Sequence, residues 1–339
     1  MKNKIKLLDI AEKMNVSAVT VSKALTDKPG VSDSLRVEIK NMAEKMGYVV
    51  QKGRKPRSDS AQHIENIGII IPTKFFNTTS SFYLKLFQFV SKQLLARGMY
   101  SITEQLETEA EKNLELPHVL QNGKVDGAIF IGQLSEDYIQ LICNNYGKKI
   151  VFLDFYASNQ EVDCITTDNF YGEYQLTKYL ISMGHKDIGF VGTLNATSSI
   201  NDRYLGFAKA MLENNLNFHF GEVTEDRDLD SSSKEIILPD YLPSAFVCNC
   251  DESAAKLIKK LNDIGKKVPE DISVVGFDDF IMSGDDNFHL TTIAVDFEAM
   301  AKSAAEIMLE KLKNPLAAPQ SVVIGGKIII RDSVRAVSS

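Results

Sequence analysis

Between Asp9 and Leu25 the chain reads DIAEKMNVSAVTVSKAL, and that spacing leaves few choices of local fold. Ile10, Ala11, Met14, Val16, Val21 and Leu25 fall where two short helices would each bury one face, and the residues between them are uncharged polar or basic. The pattern is helix, tight turn, helix. The first helix is predicted to run to about Met14 and to break at Asn15, a residue type that accepts the left-handed conformation such a turn needs. Ser17 then caps a second helix predicted over 18–26, its side chain accepting from N–H groups of the first turn. Val21 and Leu25, four apart, pin this helix to the first. Ser17 and Ala18 stand at its outward end, and Val19, Thr20, Ser22 and Lys23 face away. Small side chains, hydroxyls and one cation suit a DNA major groove, where Thr and Ser meet base edges or phosphates, Val a thymine methyl and Lys phosphate or guanine.

A partnerless surface hairpin would have the same apolar spacing, so charge decides. Residues 1–60 carry ten Lys and three Arg against seven acids, about +6, while the remainder carries −13 of the total −7. The cations therefore collect around the helical pair, as phosphate neutralisation requires.

At 339 residues the chain exceeds one hydrophobic core. Its 44% apolar and 24% charged content is that of a globular protein, with no apolar run of membrane-spanning length. The start MKNKIKLLDI lacks a signal-peptide core, so a cytoplasmic, nucleoid-associated location is expected. Cys143, Cys164, Cys248 and Cys250 sit in apolar segments without the spacing of a zinc site or disulfide framework; buried thiols and no metal are expected.

Ser32 is placed to cap a third helix with Leu35, Ile39, Met42 and Met46 on one face, ending at Gly47. Residues 1–48 thus form a three-helix headpiece, and 49–63, VQKGRKPRSDSAQH after Val49, a polar basic hinge or linker. From Ile64 strands and helices alternate: strands at 67–71, 100–103, 125–131 and 150–153 with helices at 82–97, 109–122 and 136–146 between them. A second such series follows, with strands near 165, 188–191, 245–248 and 272–275 and helices at 171–183, 203–213 and 252–264. Serial strand–helix units give parallel, doubly wound sheets, and two lobes in series leave a cleft where ligands collect at strand carboxyl ends. The polar stretch 219–241, including EDRDLDSSS, resists assignment.

DIAEKMNVSAVTVSKAL followed by VSDSLRVEIKNMAEKMGY resembles the headpiece of the LacI/GalR family of bacterial transcriptional regulators. The likeness continues through VDGAIFIG, TDNFYGEYQLTKYLISMGHKDIGFVG, RYLGF, ISVVGFDD, LTTIAVDFEAMAKSAAEIMLEKL and the closing IIIRDSV. It implies an all-α helix-turn-helix headpiece, a hinge, and a two-lobed α/β core like the type I periplasmic binding proteins over 64–339. The first lobe would comprise about 64–162 and 292–322, the second about 163–291 and 323–339. It further implies a homodimer bound to double-stranded operator DNA, with a small effector, sugar-like, in the cleft. No leucine heptads follow in RDSVRAVSS to build a larger assembly.

Departures from the family pattern matter too. Lys23 stands where the family has Arg and so lacks a two-pronged donor; Asn15 stands for Gly. The hinge has no counterpart of the family's minor-groove Leu, and Gly53 and Pro56 oppose a regular helix there, so Arg54, Lys55 and Arg57 are expected to hold phosphates or a narrow minor groove. Carried over residue by residue, the resemblance assigns effector contacts to Phe82 and Tyr83, to Asp154 at a strand end, to Arg203 of the R-x-x-G-F motif, and to Asp278 of VVGFDD. Asp251 matches a helix-capping Asp, preceded by Cys250 instead of the usual Asn. The five histidines are scattered and no nucleophile-elbow, zincin or P-loop pattern occurs, so no catalytic residue and no cofactor is expected. The competing readings are a sugar receptor, or a sugar-metabolising enzyme fused to a DNA-binding headpiece.

Overall fold

The computed structural model describes residues 7–25, 30–46, 65–76, 82–121, 123–146, 149–157, 162–280 and 289–337. The chain divides into two compact units, 1–63 and 64–339.

In the first unit α1 (Leu7–Lys13), α2 (Ala18–Leu25) and α3 (Asp33–Lys45) close on a small core of Ile10, Ala11, Val21, Ala24, Ile39 and Ala43. Ala24 completes the buried face that Val21 begins, with Leu25 at its rim. Asn15 takes φ 52, and Val16 N–H closes the turn on Ala11 O at 3.0 Å, so the break falls where the sequence places it. Ser32 holds the N-cap position of α3, but its side chain makes no cap bond and lies 3.4 Å from Ser34 Oγ instead.

The second unit opens with β1 (Asn66–Pro72), a single-turn 3₁₀ segment (Thr73–Phe75), α4 (Phe82–Leu95), β2 (Tyr100–Leu106), α5 (Thr108–Lys112), α6 (His118–Gln121), β3 (Gly127–Ile131), α7 (Glu136–Tyr146), β4 (Ile150–Leu153) and β5 (Asp163–Thr167). The helix predicted over 109–122 is broken in two: Leu114 turns at φ 56, and Pro117 supplies no N–H and pushes its predecessor out of helical conformation. The chain continues through α8 (Asn169–Ser182), β6 (Ile188–Val191), α9 (Ser198–Glu213), β7 (Ala245–Cys248), α10 (Asp251–Asp263), β8 (Ser273–Val275), β9 (Thr292–Ala294), α11 (Phe297–Lys313), β10 (Ser321–Ile324) and β11 (Lys327–Ile329).

The first sheet is wholly parallel in the order β10-β5-β4-β3-β1-β2. Its central strands β1, β3 and β4 are near-continuous apolar runs because helices cover both faces: Leu86, Val90 and Leu94 of α4 and Met300, Ala304 and Met308 of α11 pack on one of them. Asp163–Thr167, read from sequence as the opening of the second lobe, adds to this first sheet beside β4. Isolated β-branched runs do not say which neighbour they pair with. The second sheet, β6-β7-β8, is parallel as well; bridges Val275↔Thr291 and Asp278↔Ala294 attach β9, which pairs antiparallel with β11. The chain thus crosses between the lobes after β5, after β9 and after β10. A buried ion pair, Lys311 Nζ to Asp163 Oδ2 at 2.9 Å, ties α11 to β5 near these crossings.

Candidate functional site

On the helix-turn-helix, Thr20 N–H donates to Ser17 Oγ at 3.1 Å, the N-cap bond the sequence calls for, and the two hydroxyls lie 2.8 Å apart. Thr20 is half-buried and Lys23 exposed. Arg36 of α3 donates to the carbonyls of Lys23 and Val31, at 3.5 and 3.2 Å, bracing α2 from behind. The side chains of Ala18, Val19 and Ser22, and Arg54, Lys55 and Arg57 entirely, lie outside the described residues.

The second unit brings its five sequence-predicted residues into one cavity of about 1060 Å³. Phe82 and Tyr83 reach it from the start of α4, Asp154 from the end of β4, Arg203 from α9 and Asp278 from beyond β8. Two of these backbones are held in the left-handed region, Asp154 at φ 69 and Asp278 at φ 110, where non-glycine residues are uncommon and strain accompanies function. Phe82 is wall and core at once: its ring lies 4.8 Å from Phe297 and 6.3 Å from Phe280, centroid to centroid.

Arg203 is buried, and each of its three nitrogens has an acceptor. Its Nε donates to Asn169 Oδ1 at 2.8 Å, Nη1 to the Asn249 carbonyl, Nη2 to Asp278 Oδ1 at 3.2 Å, and the guanidinium lies 3.8 Å over the Phe277 ring. The glycine of R-x-x-G-F explains how Arg203 gets there. A Cβ on Gly206 would strike the Phe170 carbonyl, so only glycine lets α9 press against α8 and present Arg203 to Asn169.

The cleft also holds residues that sequence reading missed. Asp226 Oδ2 accepts from Arg227 Nε and Nη2 at 3.0 and 2.7 Å, from Asn249 Nδ2 at 2.8 Å and from the Ser253 hydroxyl, while Oδ1 accepts from Thr193 N–H at 3.0 Å. Arg227 Nη2 also reaches Asn249 Oδ1 at 3.2 Å and Cys250 Sγ at 3.3 Å. Asp226 and Arg227 come from EDRDLDSSS, and Asn249 and Cys250 from β7's end. The only signal was an acid beside a cation in a polar run, without periodicity to place it. Asp251 caps nothing; its two oxygens accept from the Thr292 hydroxyl at 2.7 Å and Phe280 N–H at 2.9 Å, bracing the turn that carries Asp278.

Burial sets the charge states. It pushes the Asp154 carboxyl up to about 7 against the pull of Arg203, and Asp278 up to about 6 against Arg203 and Arg227. Asp251 rises to about 8 by burial reinforced by Asp278. Burial acts on Asp226 likewise, but Arg227 and the donors around it outweigh it and hold that carboxyl well below the usual range. Burial raises the Tyr83 phenol, and Asp154, to which it bonds, raises it further; Asp154 Oδ1 has no hydrogen-bond partner. The cavity therefore offers carboxyl oxygens and guanidinium N–H groups in alternation beside aromatic faces, an arrangement for gripping hydroxyls or a flat polar ring.

The lobes touch across the cleft. Ser198 N–H and Oγ donate to Gln133 Oε1 at 3.1 and 2.9 Å, and Tyr156 donates to Asp202 Oδ1 at 3.0 Å. Both contacts land on α9 beside Arg203. Among the described residues no His, Cys, Asp or Glu cluster is set to hold a metal, and no helix is long and apolar enough to cross a membrane.

Residues 6–51 match the bacterial regulatory proteins of the lacI family, and 177–334 the periplasmic binding protein-like domain. The HTH-type transcriptional repressor PurR of Pasteurella multocida (strain Pm70) is 26% identical over 332 residues, covering 96% of this chain and 98% of the relative. Among solved structures, a complex of the transcriptional regulator CelR with cellobiose superposes with TM-score 0.67 at 19% identity over 97% of this chain and 99% of that one. The lac repressor dimer bound to operator and the anti-inducer ONPF gives 0.66 at 20% over 98% and 100%.

Proposed function

This chain belongs to the LacI family of bacterial regulatory proteins, and from that premise we propose that it is a cytoplasmic, homodimeric repressor reading a near-palindromic operator. One α2 enters the major groove of each half-site, with Thr20, Ser22 and Lys23 toward the bases and phosphates, and Arg54, Lys55 and Arg57 follow the backbone or minor groove. Operator affinity is set by a small effector, a sugar or sugar derivative, between the lobes. The observation that carries this reading is that one cavity takes Tyr83 and Asp154 from the first lobe and Arg203 and Asp278 from the second, so one ligand touches both. Such a ligand favours one arrangement of the lobes by its differential affinity, typically about 1–3 kcal/mol of coupling, and the dimer passes that change to the two headpieces.

The test begins with selection of bound duplexes from a randomised pool, where a two-fold site is expected. Operator titration then follows with mono- and disaccharides, sugar phosphates and purines, beside a thermal-shift screen of the same compounds and a turnover assay. A sugar that raises the melting temperature and moves operator affinity supports the reading. Turnover of a sugar would favour the enzyme alternative, and a sugar that binds to a chain without operator affinity would favour the receptor. The cellobiose complex among the fold neighbours supports a sugar; the PurR relatives favour a second reading, a purine-type effector against the Phe82 face. The sugar and purine arms of the screen separate the two.

A further inference from the structure

Glu173 lies in α8 one turn after Asn169, so the two side chains share a face of that helix. Asn169 uses its position to accept Arg203 Nε at 2.8 Å. Glu173, fully buried beside it, uses neither carboxyl oxygen: both lack a hydrogen-bond partner. The nearby Thr177 hydroxyl donates to the Glu173 backbone carbonyl at 2.8 Å and leaves the carboxyl alone. The charges it feels are those of Arg203 from α9, Asp278 beyond β8 and Asp251 at the start of α10, and it acts in turn on the Cys248 thiol at the end of β7. Arg203 is the one cation among them.

A buried polar group without a partner is destabilising and calls for a reason. Burial favours the protonated Glu173 carboxyl, raising it well above its usual range against the pull of Arg203, which is itself bonded to Asp278. Asp278 is the partner that lines the cavity; Glu173 does not line it. A ligand hydroxyl that draws Asp278 toward itself leaves the guanidinium short of counter-charge inside the protein. Removing that partner is costly unless another carboxylate replaces it.

We infer that Glu173 is a reserve counter-charge for Arg203, a positioning residue that ionises and takes the guanidinium when Asp278 is drawn away. This rests on the reading of Arg203 and Asp278 as effector contacts. The Glu173 O–H breaks, its proton is released to bulk solvent, and the carboxylate accepts from an Arg203 N–H. Effector binding then releases protons and weakens as the pH falls.

The switch can be watched without any effector, by infrared difference spectroscopy on the full-length chain labelled with ¹³C-glutamate. Wild type should show a protonated glutamic acid carbonyl band that Glu173→Gln removes. Asp278→Asn imitates the loss of the front partner, and in it that band should vanish and a carboxylate band appear. The double variant should lose more thermal stability than the two single losses together, because Arg203 then has neither partner. Asp278→Ser takes the place of Asp278→Asn if the latter does not fold. A Glu173 band that persists unchanged in the Asp278 variant, or one already ionised in wild type, overturns the inference. Failure of the effector reading shows separately, as an absence of any ligand response with the infrared switch intact.

Discussion

The helix-turn-helix and the cleft solve recognition in opposite ways. In the headpiece the supporting contact is local: Ser17 and Thr20 are three residues apart, and the core beneath is six small or branched side chains. In the cleft Arg203 meets groups 34, 46 and 75 residues away in sequence, one at each of its three nitrogens. The difference follows from what each surface is proposed to meet. A polyanion is held by cations that stay in water, so little burial is needed. A small ligand is fixed only by groups taken out of water and oriented, and each must be satisfied by another.

The largest effect is expected at Arg203. Arg203→Ala strands Asp278 and removes the support of Asn169 and the Asn249 carbonyl, so a stability loss on the order of 3–5 kcal/mol is expected, with the effector response abolished. Denaturant unfolding and operator titration at zero and saturating effector check both halves. A variant that responds at the wild-type effector concentration places the ligand elsewhere.

The headpiece should behave the other way, losing affinity and keeping its fold. Thr20→Ala with Lys23→Ala is expected to weaken specific operator binding by about 1–3 kcal/mol each if they meet bases. If Lys23 instead meets phosphate, its removal lowers the salt slope of binding by about 1. Unchanged operator affinity in the double variant removes α2 from the role of reader.

Proton linkage sharpens the contrast further. Asp278, Asp154 and Asp251 titrate near 6, 7 and 8, above the ordinary carboxyl value of 3.8, so the folded chain binds more protons than the unfolded one across that interval. Their contribution to stability therefore grows as pH falls through it. His185, its imidazole held neutral by burial, works against this below its ordinary value of 6.5, so the effect is clearest between about pH 6.5 and 8. Calorimetry should show the core transition moving up as pH is lowered from 8, and Asp251→Asn should flatten that movement. A melting temperature that rises with pH in this window would contradict the assignment.

The smallest effect is expected at the contact between lobes. Tyr156→Phe removes one bond to Asp202, worth about 0.5–1.5 kcal/mol, and should weaken effector binding severalfold without touching a cavity residue. Titration calorimetry with the effector that the screen identifies measures it.

Periodicity and turn chemistry carried much of the fold in the sequence. The headpiece turn at Asn15, the cap at Ser17 and the helix Glu136–Tyr146 all follow from residue types acting on near neighbours. Where reading failed, the deciding interaction was distant or irregular. The partner of Asp163–Thr167 is a strand-pairing choice, and at Pro117 a local break signal sits inside an apolar rhythm that runs on past it.

The chain's own residues determined that there would be a basic helical pair, two strand–helix series and acids at strand ends, because those depend on spacings of two, three and four. Only the tertiary structure decided that Asp226 and Arg227, from an aperiodic loop, join Asn249 in the same cavity, and that Glu173 is buried behind Arg203 without a partner. Charge state and hydrogen-bond satisfaction belong to the surroundings of a side chain, and those exist only once segments far apart in sequence have been packed together.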